Sequence, residues 1–87
     1  MTRTPDAVRR EVMFRDISCV GPKVGMPLDC IGRATLDHVR ASGGLGLKSR
    51  STPDNLVVLC VLHHEAKTLS GRFWRPPLLA YLESVTA

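Results

Sequence analysis

Leu59-Cys60-Val61-Leu62-His63-His64-Glu65-Ala66-Lys67 is the stretch whose reading decides the fold. It opens with a Cys-x-x-His pair, a spacing at which a thiolate and an imidazole can hold one metal ion, and a second histidine follows directly. The run before it, Leu56-Val57-Val58-Leu59, is apolar and β-branched and predicts a strand. The run after it, His64 to Ser70, predicts a helix that Gly71 stops. Cys60 and His63 therefore fall where a strand turns into a helix, and a metal held there would fix that junction.

A staple of this kind is expected from size alone. Eighty-seven residues make one domain, 1–87, with a core too small to be comfortable without metal or disulfides. The aromatic residues are few: Phe14, Phe73, Trp74 and Tyr81. Three cysteines cannot all pair within one chain, and Met1-Thr2-Arg3-Thr4-Pro5-Asp6 lacks the apolar run of a secretory signal. The expectation is a reducing, cytoplasmic setting and metal rather than disulfide. No window approaches the roughly 18 apolar residues of a membrane span, so no membrane partner is expected. Twelve Lys plus Arg against eight Asp plus Glu leave a formal charge of +4, which suits a polyanionic partner.

Upstream, residues 1–5 read as a flexible tail and Asp6 as the N-cap of a helix over Ala7 to Arg15. Val8, Val12 and Arg15 share one face of it, and Arg9, Arg10 and Glu11 read as a solvated charged face, although Arg9 and Arg10 could touch phosphates. Cys19 and Cys30 enclose a ten-residue loop rich in turn formers (Gly21, Pro22, Gly25, Pro27). Together with Cys60 and His63 they complete a three-thiolate, one-imidazole set of the kind that closes a structural zinc site. Alternatively, Cys19 and Cys30 are two inert buried thiols. Zinc binding in small domains is worth on the order of 10 kcal/mol of folding free energy, so loss of one thiolate is expected to unfold the chain.

Thr35 to Val39 predicts a second strand, paired antiparallel with Leu56 to Leu59 across a long polar segment, Arg40 to Asp54, that carries Gly43, Gly44, Gly46, Lys48 and Arg50. No Gly-Lys-Ser/Thr ending follows those glycines, which excludes a P-loop. Thr52 to Asn55 is turn-like. Beyond Gly71, Arg72-Phe73-Trp74-Arg75 reads as a basic-aromatic connector. A last helix over 76–86 is expected to start at Pro76 and Pro77 and to share Leu78, Leu82 and Val85 on one face.

A second constellation is Asp37, His38, Asn55 and His64. Phosphodiester hydrolysis needs a base, a cation to absorb charge on the phosphate, and rigid placement of both. A neutral imidazole supplies a base near pH 7. A carboxylate with an imidazole, as in Asp37 with His64, can hold a divalent ion. Asn55 can only hydrogen-bond, and suits the mouth of the long segment.

Asp37-His38, then Asn55-Leu56-Val57-Val58-Leu59-Cys60, then His63-His64 and Lys67-Thr68, resemble the HNH endonuclease family, the ββα-metal or His-Me finger nucleases. The resemblance covers roughly Cys19 to Thr68, with His63 where many members carry a cysteine. It implies an α+β fold: a ββα-metal core over 19–68 with a structural zinc site (Cys19, Cys30, Cys60, His63) and flanking N- and C-terminal helices. It also implies a metal-dependent endonuclease acting on DNA. His38 would be the general base and Asn55 a structural member of the catalytic set. Asp37 and His64 would hold a catalytic Mg2+, Mn2+ or other divalent ion. The products would carry 3′-hydroxyl and 5′-phosphate ends. Lys67, Arg72, Arg75, Lys48 and Arg50 are candidate nucleic-acid contacts, although Lys67 also fits a solvated helix face and Trp74 between the arginines fits the core. Small phage-encoded members work beside DNA-packaging (terminase) proteins, which would place this chain in a host cytoplasm. The alternative is a non-catalytic zinc-stabilised module of the same fold that binds DNA or protein. Because neighbouring strand residues point to opposite faces, Asp37 and His38 can address one site only if their strand distorts or ends there.

Overall fold

The computed structural model describes residues 4–40 and 50–86. Lys48 and the glycines of the long polar segment lie outside the described residues. The architecture is α+β. Helix α1 (Asp6–Asp16) is followed by a 3-10 turn at Gly21–Val24, strand β1 (Ala34–His38) and a second 3-10 turn at Pro53–Asn55. Strand β2 (Leu56–Cys60), α2 (Val61–Leu69) and α3 (Gly71–Thr86) complete it.

The two strands pair antiparallel, with Ala34 opposite Cys60 and His38 opposite Leu56. All five residues of β2 are buried, so the strand is sandwiched and reads as a continuous apolar run. Its pleat divides the core in two. Leu56 and Val58 pack with Val12 of α1, with Val8 and Leu36 against them. Val57 and Leu59 face the other way, into Val20, Met26, Val39, Leu78 and Leu82, with Trp74 packed at the margin. No helix among the described residues is long and apolar enough to cross a membrane.

Three helix starts differ from the sequence expectation. Asp6 is the first residue of α1, not its cap; Pro5 holds the cap position without a side-chain hydrogen bond. Helix α2 starts at Val61 rather than His64, because the Cys60 sulfur accepts the His63 N–H and caps the helix early. The expected connector 72–75 is helical. Phe73 N and Trp74 N both donate to Ser70 O, which starts α3 ahead of the prolines, and Pro76 and Pro77 lie inside the helix. Of the expected α3 face, Leu78 and Leu82 are buried but Val85 is 38% exposed.

One buried carboxylate ties the elements together. Asp16, fully buried, accepts from Arg15 Nε (2.7 Å), from the Val58 backbone N–H (2.9 Å) and from the Tyr81 hydroxyl (2.5 Å). Val20 N donates to Val58 O. The edge of β2 turned away from β1 thereby has Val58's N–H and C=O satisfied by α1 and the chain just after it. Arg15 extends the network to the carbonyls of Pro53 and Leu56. The Tyr81 hydroxyl is pushed up to about 12, first by burial and then by its bond to the Asp16 carboxylate.

Candidate metal centre and the neighbouring carboxylate–histidine pair

Cys19, Cys30, Cys60 and His63 converge, with their ligand atoms all within 4.8 Å of one another. The helix start explains how. Capping by Cys60 puts His63 in the first turn of α2, directly over the sulfur that caps it. The Gly21–Val24 turn brings Cys19 in from one side. Leu28, held at φ +71°, turns the chain toward Cys30 on the other. His63 Nδ1 stands 3.3 Å from Cys19 Sγ, 3.3 Å from Cys60 Sγ and 3.7 Å from Cys30 Sγ. Tetrahedral zinc, with bonds of about 2.0 Å to nitrogen and 2.3 Å to sulfur, separates the two donor types by about 3.5 Å. The donor set therefore has the size and the chemistry to hold a metal such as zinc.

The second ring nitrogen settles which atom points at the sulfurs. His63 Nε2 lies 3.0 Å from Pro27 O and 3.2 Å from Leu28 O, and only a protonated Nε2 can donate to carbonyls. The neutral ring then presents a lone pair at Nδ1 toward the three thiols, the outer-shell arrangement that orients metal-bound imidazoles. Backbone donors complete the shell: Gly21 N to Cys19 Sγ at 3.3 Å and His63 N to Cys60 Sγ at 3.4 Å. Burial opposes ionisation of the Cys60 thiol. The N–H groups of His63 and Ile31 and the neighbouring thiols outweigh it and bring the thiol down to about 7. Gly21 is required sterically, since a Cβ there would stand 2.6 Å from His63 Nδ1.

His64, one residue on, is rotated by about 100° around the helix and serves a different place. Its Nε2 lies 3.1 Å from Asp37 Oδ1. Its Nδ1 lies 2.7 Å from Thr35 Oγ1, which itself donates to Leu59 O at 2.7 Å. Because the Thr35 proton is spent on Leu59, the hydroxyl oxygen accepts from His64, and Nδ1 carries a hydrogen. In the neutral ring this leaves the Nε2 lone pair facing a carboxylate oxygen. Two acceptors at 3.1 Å need a cation between them, either a proton on Nε2 or a metal ion. Neighbouring ligands on an octahedral ion with bonds of about 2.1 Å are about 3 Å apart, so the pair fits a small divalent ion.

Lys67, one turn further along α2, is buried rather than solvated. Its ammonium donates to His38 O at 2.8 Å and stands 3.1 Å from Asp37 Oδ2. That second contact is coulombic, and Oδ2 has no hydrogen-bond donor although it is buried. Asn55, also buried, bridges the two ends of the long segment. Its Oδ1 accepts from Arg40 N at 2.8 Å, and its Nδ2 donates to Arg40 O and Arg50 O.

Of the two outcomes expected at Asp37–His38, distortion or an end to the strand, the structure shows the end. The strand stays in register through His38 opposite Leu56 and ends there. Asp37 shares the face of Val57 and meets α2, whereas His38 shares the face of Leu56. The His38 Nε2 sits 3.0 Å from Ser51 Oγ. The paired register through His38 leaves no room for both side chains to turn one way. Among the described candidates for nucleic-acid contact, Arg72 is exposed, Arg50 pairs loosely with Asp54 at 3.8 Å, and Arg75 is half-buried with its Nε donating to Val39 O. Sequence reasoning missed Asp16 as a hub and Thr35 as the partner of His64. The second had a signal, since Thr35 and Asp37 alternate on one strand face. Comparison with known proteins finds no family model, no curated relative and no solved structure that matches the chain.

Proposed function

We infer that the chain is a small ββα-metal nuclease of the HNH kind, hydrolysing phosphodiester bonds of DNA. The observation that carries this reading is the 3.1 Å approach of Asp37 and His64, with Thr35 fixing the imidazole so that its lone pair faces the carboxylate. Consecutive histidines then divide two tasks. His63 faces the thiol cluster, and His64 faces a carboxylate whose second oxygen is buried without a hydrogen-bond donor.

Asp37 and His64 would hold the divalent ion, which supplies Lewis-acid stabilisation of charge on the phosphate and the leaving oxygen. Asn55 anchors the chain immediately after His38. Lys67 holds the Asp37 carboxylate and the His38 carbonyl together. His38, at the end of β1, would take a proton from water; the water oxygen bonds to phosphorus, the P–O3′ bond breaks, and O3′ takes a proton from solvent, leaving a 5′-phosphate and a 3′-hydroxyl. His38 and Asp37 leave β1 on opposite faces. A phosphodiester must therefore lie across the strand's open edge to touch both sides. That edge is reachable, since Thr35 lines both the cavity beside His64 and the cavity beside His38.

The divergence of Asp37 and His38, and the ammonium of Lys67 already beside Asp37, favour a second reading: a non-catalytic nucleic-acid-binding module of the same fold. Nicking of supercoiled plasmid in Mg2+ or Mn2+ separates the two. The nuclease reading expects nicked circles from the wild type and a loss of about 100-fold or more with His38→Ala, shown to be folded by its zinc content and circular dichroism. Equal activity in both removes His38 as base; no activity in either leaves the binding module.

A further inference from the structure

Among the described residues β1 has one partner strand, and two cavities beside it share Thr35 in their lining. The larger, about 620 Å3, is lined by Thr4, Arg9, Arg33, Ala34, Thr35, Leu36 and His38. Arg9 comes from the outward face of α1 and Arg33 from the residue before β1. Both are exposed, and among the described residues neither guanidinium has a hydrogen-bond or ion-pair partner. Among the described residues no acidic side chain lines this cavity. Two exposed guanidiniums lining one cavity without an anionic partner leave an uncompensated positive field there, and guanidinium geometry matches phosphate oxygens.

We propose that this cleft is a binding groove for the phosphodiester backbone of a nucleic acid, with Arg9 and Arg33 as its phosphate contacts. The strand runs past His38 and over the edge of β1 toward Thr35 and His64. Arg33 carries no sequence signal of its own, and the cleft differs from the Arg72–Arg75 surface expected from the sequence. The groove rests on the nuclease reading for its ligand class, but its binding can be measured without turnover.

The test is fluorescence anisotropy of a labelled DNA duplex against salt, in buffer without added divalent ion. It compares the zinc-loaded full chain with Arg9→Ala/Arg33→Ala, Arg9→Lys/Arg33→Lys and the control Arg10→Ala. Two lost phosphate contacts should flatten the slope of log affinity on log salt by about 1.8, and raise Kd about tenfold to a hundredfold near 0.1 M salt. The lysine pair should restore most of the slope, and Arg10→Ala should change both quantities far less. The groove is overturned by an unchanged slope in the double alanine variant, by an equal effect of Arg10→Ala, or by failure of the wild type to bind. A wild type that binds through Arg9 and Arg33 but does not nick plasmid keeps the groove and loses the nuclease. Nicking with unaltered binding in the double variant does the reverse.

Discussion

Replacing Gly21 by alanine tests the thiol–imidazole cluster from outside its ligand set. The new Cβ would lie 2.6 Å from His63 Nδ1 and 2.8 Å from its Cγ. Ordinary van der Waals contact begins near 3.4 Å, so the ring and the Gly21 backbone must separate by about 0.8 Å. Metal–ligand distances tolerate only about 0.2 Å. His63 cannot retreat alone, because Nε2 is held by the carbonyls of Pro27 and Leu28 and its backbone N–H by Cys60. The strain therefore falls on the metal site. Losing an orienting contact costs about 10- to 100-fold in metal affinity, and displacing a ligand costs at least the upper figure, about 2.7 kcal/mol. Gly25 is the matched control. It sits at φ +85° with nothing within 4 Å of an added Cβ, so Gly25→Ala carries about 1–2 kcal/mol of backbone strain but leaves the metal site alone. Competition with a chromophoric chelator, alongside thermal melts at fixed free zinc, reads both quantities. Gly21→Ala should lower zinc affinity by about 100-fold or more, and Gly25→Ala should lower only the melting temperature. Wild-type zinc affinity in a folded Gly21→Ala chain would refute the packing of that turn on a metal-binding ring.

Three further outcomes follow from the same structure. Asp16→Asn removes the charge that Arg15, Tyr81 and Val58 share and should cost about 3 kcal/mol in denaturant unfolding of the zinc-loaded chain; a change below about 0.5 kcal/mol would deny the hub its role. Tyr81 binds its proton more tightly in the folded chain, about 12 against an ordinary 10. Its contribution is thus complete below pH 10 and fades as pH climbs through 12, so the stability gap between wild type and Tyr81→Phe should narrow across that window. A gap independent of pH from 9 to 12 would contradict the bond to Asp16. Thr35→Val deprives His64 Nδ1 of its acceptor and should weaken Mn2+ binding, read by calorimetry, by about 10- to 100-fold with zinc content intact; unaltered Mn2+ affinity would remove Thr35 from the site.

The parts of the fold legible in the sequence are those set by short-range pattern. An apolar β-branched run followed by Cys-x-x-His marks β2 and the head of α2, where Cys60 caps the helix and sets His63 over its sulfur, and the turn-rich segment 19–30 brings Cys19 and Cys30 to them. Less legible was anything decided by what lies across the core. Asp16 reads as one more helix-terminal acid, yet it is buried because the outer edge of β2 needs an acceptor for Val58 N–H. Lys67 reads as helix surface, yet it is drawn inward by Asp37 and the His38 carbonyl. Pro76 and Pro77 favour a helix start, and the chain ahead of them becomes helical because Ser70 O collects two amides. Asp37 and His38 show the opposite case: alternation along a strand was the simple rule, and it prevails over the convergence that the resemblance implied.

The most direct test of the two-cation account is native mass spectrometry of the zinc-loaded chain with added Mn2+, for the wild type and Asp37→Asn. The account predicts a zinc ion retained by both proteins and a second, exchangeable ion taken up by the wild type alone. A chain that folds without zinc, or an Asp37→Asn variant that takes up Mn2+ as the wild type does, would contradict it.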